Sequence, residues 1–410
     1  MRAKKVFCPL PWVSICVQPY GPALCCSSYA DLRQTPDETP AQVFNNETMT
    51  EVRRKFLSGE WPSQCNTCKI NEESGILSLR ELSIRTGEYS DVMAKKEALD
   101  SQSSVSLLQG KVFVAAKVIT ENPLALRYLE LASSNYCNLK CRMCGPRYSS
   151  KWKEDIGAVE EAGFKDEMEH IKGVDDKPLK DFDAQSLYDL LDEEPLLMMK
   201  GGEPMLNKNN ADIIELLATT GKIKNTRLSI TTNGVFLADW FLKYLHLFKR
   251  VDIIFSIDAS GPLNKYIRYG TYKNEDLKIN MKKIRSIRGD TIIIVSTSFQ
   301  IYNMLNYPDL VREYSDISDH FSVTTVTNYQ LNAQKAPDEL RNLSLQKIEK
   351  LLEAEKNPSL RQTYQDIHNY LSNGQFDPAA WNKFKDFTKA LDEIRSEKLS
   401  DVEPELAAFF

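Results

Sequence analysis

The sequence predicts an α/β protein on three observations. From Arg127 onward, apolar runs of strand length alternate with amphipathic helical stretches. At 410 residues the chain is long enough for one large domain and a smaller one. Its 42% hydrophobic and 27% charged residues suit a globular fold. No apolar run approaches the ~18 residues of a membrane span.

The six strand-like runs are RYLELAS, EPLLMMK, TRLSITTN, VDIIFSID, TIIIVSTS and FSVTTVT. Helical stretches separate most of them: NADIIELLATTG, LADWFLKYLHLFK, EDLKINMKKIRSIRG and YPDLVREYSD. Strand–helix alternation implies parallel βα units, and six of them suggest an open barrel or a doubly wound sheet. Functional residues of such sheets sit at the C-terminal ends of the strands. A charged insertion, roughly residues 150–190, separates the first two strands. Residues 331–410 read as a helical extension whose apolar end, LAAFF, covers the core.

Ahead of the strands, residues 1–75 form a cysteine-rich module and 76–126 a connector. Within the module, NETMTEVRRKFLSGEWP reads as a helix with Met49, Val52, Phe56 and Leu57 on one face, ended by Gly59 and Pro62. The connector is polar and helical in its middle, with KVFVAAKVI as a short apolar piece. The start, MRAKKVFCPLPWVSICV, has basic residues, but two prolines and two cysteines interrupt its apolar part, so it does not read as a secretion signal. The net charge of −5 offers no bulk attraction to nucleic acid or to an anionic membrane.

All nine cysteines lie at or before Cys144, and Cys65–Cys68 and Cys137–Cys141–Cys144 are spaced by gaps of two and three residues. Such clustering in a long chain reads as metal ligation in a reducing cytoplasm and not as a disulfide framework. SSNYCNLKCRMCGP places Cys137, Cys141 and Cys144 a few residues beyond the first strand. Iron–sulfur clusters usually take four cysteines. Three thiolates hold three irons of a [4Fe–4S] cube and leave the fourth open. The alternative is a zinc site completed by a distant residue, although zinc favours a nearby fourth cysteine or histidine.

This C-x3-C-x2-C motif after a first strand resembles the radical S-adenosylmethionine (SAM) superfamily. The resemblance implies that SAM chelates the fourth iron and is cleaved to methionine and a 5′-deoxyadenosyl radical, which abstracts hydrogen from a substrate. KGGEP, at Lys200–Pro204, is similar to the family's GGEP motif. Gly201, Gly202, Glu203 and Pro204 are then expected at the amino group of SAM, with the glycines permitting close backbone approach. TTNG brings Thr232 and Asn233 to the same rim, and SIDAS makes Ser256 and Asp258 candidates for the SAM ribose or carboxylate. Arg268 is a candidate carboxylate partner, with Ser296 and Ser298 as further candidates. Over residues 127–330 the resemblance implies a partial (βα)6 TIM-like barrel. It also implies a low-potential electron donor such as flavodoxin or ferredoxin, and a small-molecule or peptide substrate.

The N-terminal cysteines resemble a second pattern. Cys8, Gly21 and Cys26 are similar to the C-x(9–15)-G-x4-C signature of SPASM and twitch auxiliary-cluster domains, and Cys65 and Cys68 add a C-x2-C pair. The resemblance implies a small α+β module in which Cys8, Cys26, Cys65 and Cys68 hold one auxiliary Fe–S cluster. Such domains normally follow the barrel, whereas this module precedes it. Zinc suits four cysteines equally well. Cys16 and Cys25 remain, either as buried thiols, with Cys25 replacing Cys26 as ligand, or as a hydrogen donor. The expected function is a radical SAM enzyme whose auxiliary cluster takes an electron in an oxidation. A peptide-modifying epimerase or cross-linking enzyme is one alternative, and a non-catalytic zinc or Fe–S binding protein is another.

Overall fold

The computed structural model describes the chain apart from residues 1–5, 19–20, 29–31, 33–34, 36, 74–77, 106–118, 133 and 165–181, and apart from the side chains of 101–105. Two compact units emerge. The first comprises residues 1–133, 178–198 and 212–227, and the second comprises 134–177, 199–211 and 228–410. Most of the KVFVAAKVI piece and the centre of the charged insertion lie outside the described residues. No helix among the described residues is long and apolar enough to cross a membrane.

In the first unit the sheet runs β2-β1-β3-β4. Its strands are β1 (Ser14–Gln18), β2 (Gly21–Ala23), β3 (Leu126–Leu131) and β4 (Leu191–Met199). β1 and β2 form an antiparallel hairpin, and β1 then lies parallel to β3 with Cys16 opposite Glu130. The N-terminal hairpin is therefore part of the first unit's sheet. Gly21 begins β2 at φ 123°, a conformation that glycine adopts freely. The expected helix forms at Glu47–Ser58, capped by Asn46 and ended by Gly59 at φ 81°. Met49, Val52 and Phe56 face the core as anticipated, and Arg53 joins them where Leu57 was expected. Arg53 is tolerated there because its guanidinium donates to the carbonyls of Pro11 (2.9 Å) and Phe44 (2.6 Å).

The second unit carries β5 (Arg227–Thr232), β6 (Arg250–Ser256), β7 (Ile292–Phe299) and β8 (His320–Thr325), in that order. β6, β7 and β8 are parallel, with Ser256 beside Ser296 and Phe299 beside Thr325. All six strands read from the sequence are present, and the mixed α/β fold with a parallel sheet is as expected. Period-two alternation sends Val251, Ile253 and Phe255 of β6 and Ile293, Val295 and Phe299 of β7 into a buried layer. Helix Asn274–Ile287 adds Leu277, Met281 and Ile284 at helical spacing. The opposite face of β6 and β7 is half-buried and carries Ser256, Ser296 and Ser298.

The C-terminal residues fold as helices at Asp338–Ala354, Pro358–Ser372 and Pro378–Arg395. The last buries Trp381, Phe384, Phe387 and Leu391. The LAAFF end covers this stripe as expected: Leu406 is buried, and the Phe410 ring lies 6.0 Å from Trp381 and 5.5 Å from Phe384.

Candidate active site and cysteine hollows

The cysteine loop has no regular secondary structure, so its backbone groups find partners elsewhere. Lys140 and Arg142 donate backbone N–H groups to Tyr269 O (2.9 Å) and Ile267 O (2.8 Å). Cys144 N closes a turn on Cys141 O at 3.0 Å, and the Trp152 indole donates to the same carbonyl at 3.0 Å. Segment 267–269 and Trp152 thus set the path of the loop.

The GGEP turn docks directly on this loop. Glu203 N donates to Tyr136 O at 2.8 Å. Gly202 has φ 47°, and a Cβ there would meet Tyr136 O at 2.4 Å and Ser134 O at 2.9 Å. Only glycine meets both demands. Gly202→Ala is expected to destabilise the chain by on the order of 2 kcal/mol, read as a lower urea midpoint at unchanged m. An unchanged midpoint would show that the two loops do not dock this way.

Cys137, Cys141 and Cys144 share the wall of one hollow of about 100 Å³ with Gly201, Gly202, Thr231, Thr232, Asn233, Ser256 and Arg268. Arg268 Nη1 is 3.9 Å from Cys141 Sγ. A donated hydrogen bond from Cys144 and the Arg268 charge lower the pKa of Cys141, while burial pushes Cys137 up to about 11. Asn233 Nδ2 donates to Asn138 Oδ1 (2.8 Å), tying the TTN strand end to the cysteine loop. Of the residues expected at SAM, Gly201, Gly202, Asn233, Ser256 and Arg268 thus lie on one wall with the triad.

Glu203, Pro204 and Asp258 take a different place, because their polar groups are used within the protein. Glu203 is 1% exposed. Its carboxylate accepts from Thr232 Oγ1 (2.8 Å), Asn233 N (2.8 Å) and Met205 N (3.2 Å). It joins the GG turn to the end of β5 and does not line the hollow. Pro204 is buried and opens the turn Pro204–Leu206. Asp258, fully buried, pairs with Arg268 Nε at 2.7 Å and accepts from Ser298 N at 2.7 Å. Asp258 therefore aims Arg268. Asn138, Trp152 and the 267–269 backbone were not anticipated as parts of the site. Only the proximity of Trp152 and Asn138 to the triad in sequence hinted at them.

Burial pushes Glu203 up to about 7, against hydrogen bonds that favour its charged form. A carboxyl pKa raised on folding gives stability that is full below about 4.5 and lost as pH rises through about 7. Wild type is therefore expected to lose thermal stability across that window more steeply than Glu203→Gln. Parallel Tm–pH curves for the two proteins would rule out this ionisation.

The first unit holds a second thiol group. Cys8, Cys25, Cys65 and Cys68 line one tight hollow with Leu10, Leu24, Trp61 and Arg80. The antiparallel β1–β2 hairpin and the turn after β2 bring Cys25 to Cys8, and the Ser63–Cys65 turn with helix Asn66–Glu73 brings in the C-x2-C pair. Cys25 stands where Cys26 was expected, and Cys26 is not on this wall. Neighbouring residues of a tight turn point apart, so a hairpin end presents one of the two thiols to the hollow and not both. Burial and the neighbouring thiols raise Cys8 and Cys25, and burial then Cys68 push Cys65 up to about 12. Among the described residues, no three His, Cys, Asp or Glu side chains are drawn to metal-binding distance.

Residues 131–304 match the Radical SAM superfamily. The chain is 28% identical over 114 residues to GTP 3',8-cyclase of Moorella thermoacetica, covering 27% of this chain and 28% of the relative. It is 31% identical over 115 residues to GTP 3',8-cyclase 3 of Mycobacterium bovis, covering 27% and 25%. It thus spans about a quarter of the length of the curated relatives it matches. Among solved structures, Streptococcus suis SuiB bound to precursor peptide SuiA aligns over 97% of this chain and 74% of that one, at 13% identity and TM-score 0.35.

Proposed function

We propose that this chain is an enzyme that cleaves SAM reductively and uses the resulting 5′-deoxyadenosyl radical to abstract hydrogen from an organic substrate. The observation that supports it is the sharing of one hollow by Cys137, Cys141 and Cys144 with Gly201, Gly202, Asn233, Ser256 and Arg268. When bound there, a [4Fe–4S] cluster with SAM at its open iron supplies the electron that breaks the SAM carbon–sulfur bond. The three thiols hold the irons. Arg268 offsets thiolate charge at Cys141. The Gly201 and Gly202 backbone receives the amino acid end of SAM, while Asn233 and Ser256 offer polar groups to its ribose or carboxylate. Glu203 and Asp258 hold these groups in place from behind.

Cys8, Cys25, Cys65 and Cys68 hold a second Fe–S cluster in this reading. A cluster held by these four thiols would have the chemistry to accept an electron from the substrate radical, which would make the net reaction an oxidation. A flavodoxin or ferredoxin in a reducing cytoplasm supplies the electron that starts the cycle. Anaerobically reconstituted protein is then expected to carry about eight irons and to form 5′-deoxyadenosine from SAM and dithionite. Stoichiometric zinc without iron would replace this reading with a non-catalytic metal-binding protein.

A further inference from the structure

Arg142 sits between two of the three triad cysteines, and its side chain has no exposure to solvent. Its Nε donates to Tyr266 O at 3.0 Å. Its Nη2 donates to Asp392 at 2.7 Å and to Glu397 at 3.0 Å. The guanidinium lies 3.6 Å from the centre of the Tyr266 ring and 5.5 Å from that of Tyr302. The Tyr266 hydroxyl also donates to Asp392 at 2.7 Å. The acceptors therefore come from the end of the Pro378–Arg395 helix and the turn just after it, about 250 residues along the chain.

A second strut reaches the same loop. Arg395 donates to Asp155 at 2.8 Å, and Asp155 also binds Lys140. Arg395 lies over the rings of Trp152 (5.0 Å) and Tyr269 (4.8 Å). Trp152 holds the Cys141 carbonyl, and Tyr269 O holds Lys140 N. Phe387 and Leu391 of the helix pack with Trp152, Val159 and Phe164 in a cluster that Cys144 touches. Loop positions 140, 141, 142 and 144 are each one or two contacts from this helix.

We propose that the Pro378–Arg395 helix is a working part of the SAM site, with Arg142 as the positioning residue through which it sets the spacing of Cys141 and Cys144. This rests on the triad being the cluster ligand set. Exposed ion pairs rarely hold geometry, but a buried guanidinium deprived of its carboxylates must move or rearrange its surroundings. Here what moves is the backbone between two ligands.

The test uses the full chain without metal. Iodoacetamide labelling is followed cysteine by cysteine in wild type, Arg142→Met and Asp392→Asn/Glu397→Gln, with Arg142→Lys as the charge-conserving rescue. In both disrupted variants Cys141 and Cys144 are expected to label on the order of tenfold faster, with Cys8, Cys25, Cys65 and Cys68 unchanged. Arg142→Lys should restore part of the protection. After reconstitution the same variants should show an altered electron paramagnetic resonance signal with SAM and a raised KM for SAM. If Arg142→Met does not fold, the double variant carries the test. Labelling that rises equally at every cysteine, or at none, overturns the proposal. Because labelling needs no cluster, a wild-type chain that fails to cleave SAM would sink the enzymatic reading and leave this result standing.

Discussion

Cys141→Ala is expected to abolish formation of 5′-deoxyadenosine, leaving less than about one part in a thousand of the wild-type rate. Three thiols are the whole protein contribution to the proposed cluster, and no cysteine follows Cys144 to replace a lost one. The loss should be chemical and not structural. Arg268, the charged neighbour of Cys141, keeps its partner Asp258 at 2.7 Å. The loop backbone keeps its bonds to Ile267 O and Tyr269 O. Iron analysis should show the triad's share gone and the N-terminal share retained, with circular dichroism unchanged. Persistent 5′-deoxyadenosine in this variant would remove Cys141 from the ligand set and with it the proposed site.

Cys25→Ala is expected to lose about four irons, while Cys26→Ala keeps the full complement of about eight. The two residues are adjacent, so a general effect on the hairpin would act on both alike. Only Cys25 shares the hollow with Cys8, Cys65 and Cys68. Cys25→Ala should retain SAM cleavage, because the triad belongs to the other unit and is untouched. Turnover of the true substrate should fail if its radical must give up an electron. The opposite pattern, with Cys26→Ala losing the iron, would restore the ligand set that the glycine spacing suggested. The outcome in which both variants keep all iron would leave the first unit without a second cluster.

The sequence by itself determined the alternation of strands and helices, because a period of two against 3.6 is a local property of side-chain burial. β6 shows it directly: Val251, Ile253 and Phe255 are buried and their neighbours are not. It also determined where the triad falls, since C-x3-C-x2-C just past β3 puts three thiols in one loop whatever the loop's path. Gly202 was singled out for close approach to a ligand, whereas the structure packs it against the Tyr136 and Ser134 backbone of the cysteine loop.

Only the tertiary structure decided which polar residues face the hollow and which support them. Glu203 and Asp258 sit in the right motifs, yet their carboxylates turn inward to Thr232, Asn233 and Arg268. A buried carboxylate takes whatever donors the neighbouring strand ends provide, and those donors lie some 10 to 30 residues away in sequence. The choice of Cys25 over Cys26 turned on the path of a turn after a short hairpin, which a spacing rule does not resolve. Arg142 between its tyrosines and acids was invisible for the same reason. Its partners come from helices and a turn more than a hundred residues beyond it, and charge pairing at that separation leaves no periodic trace in a single chain.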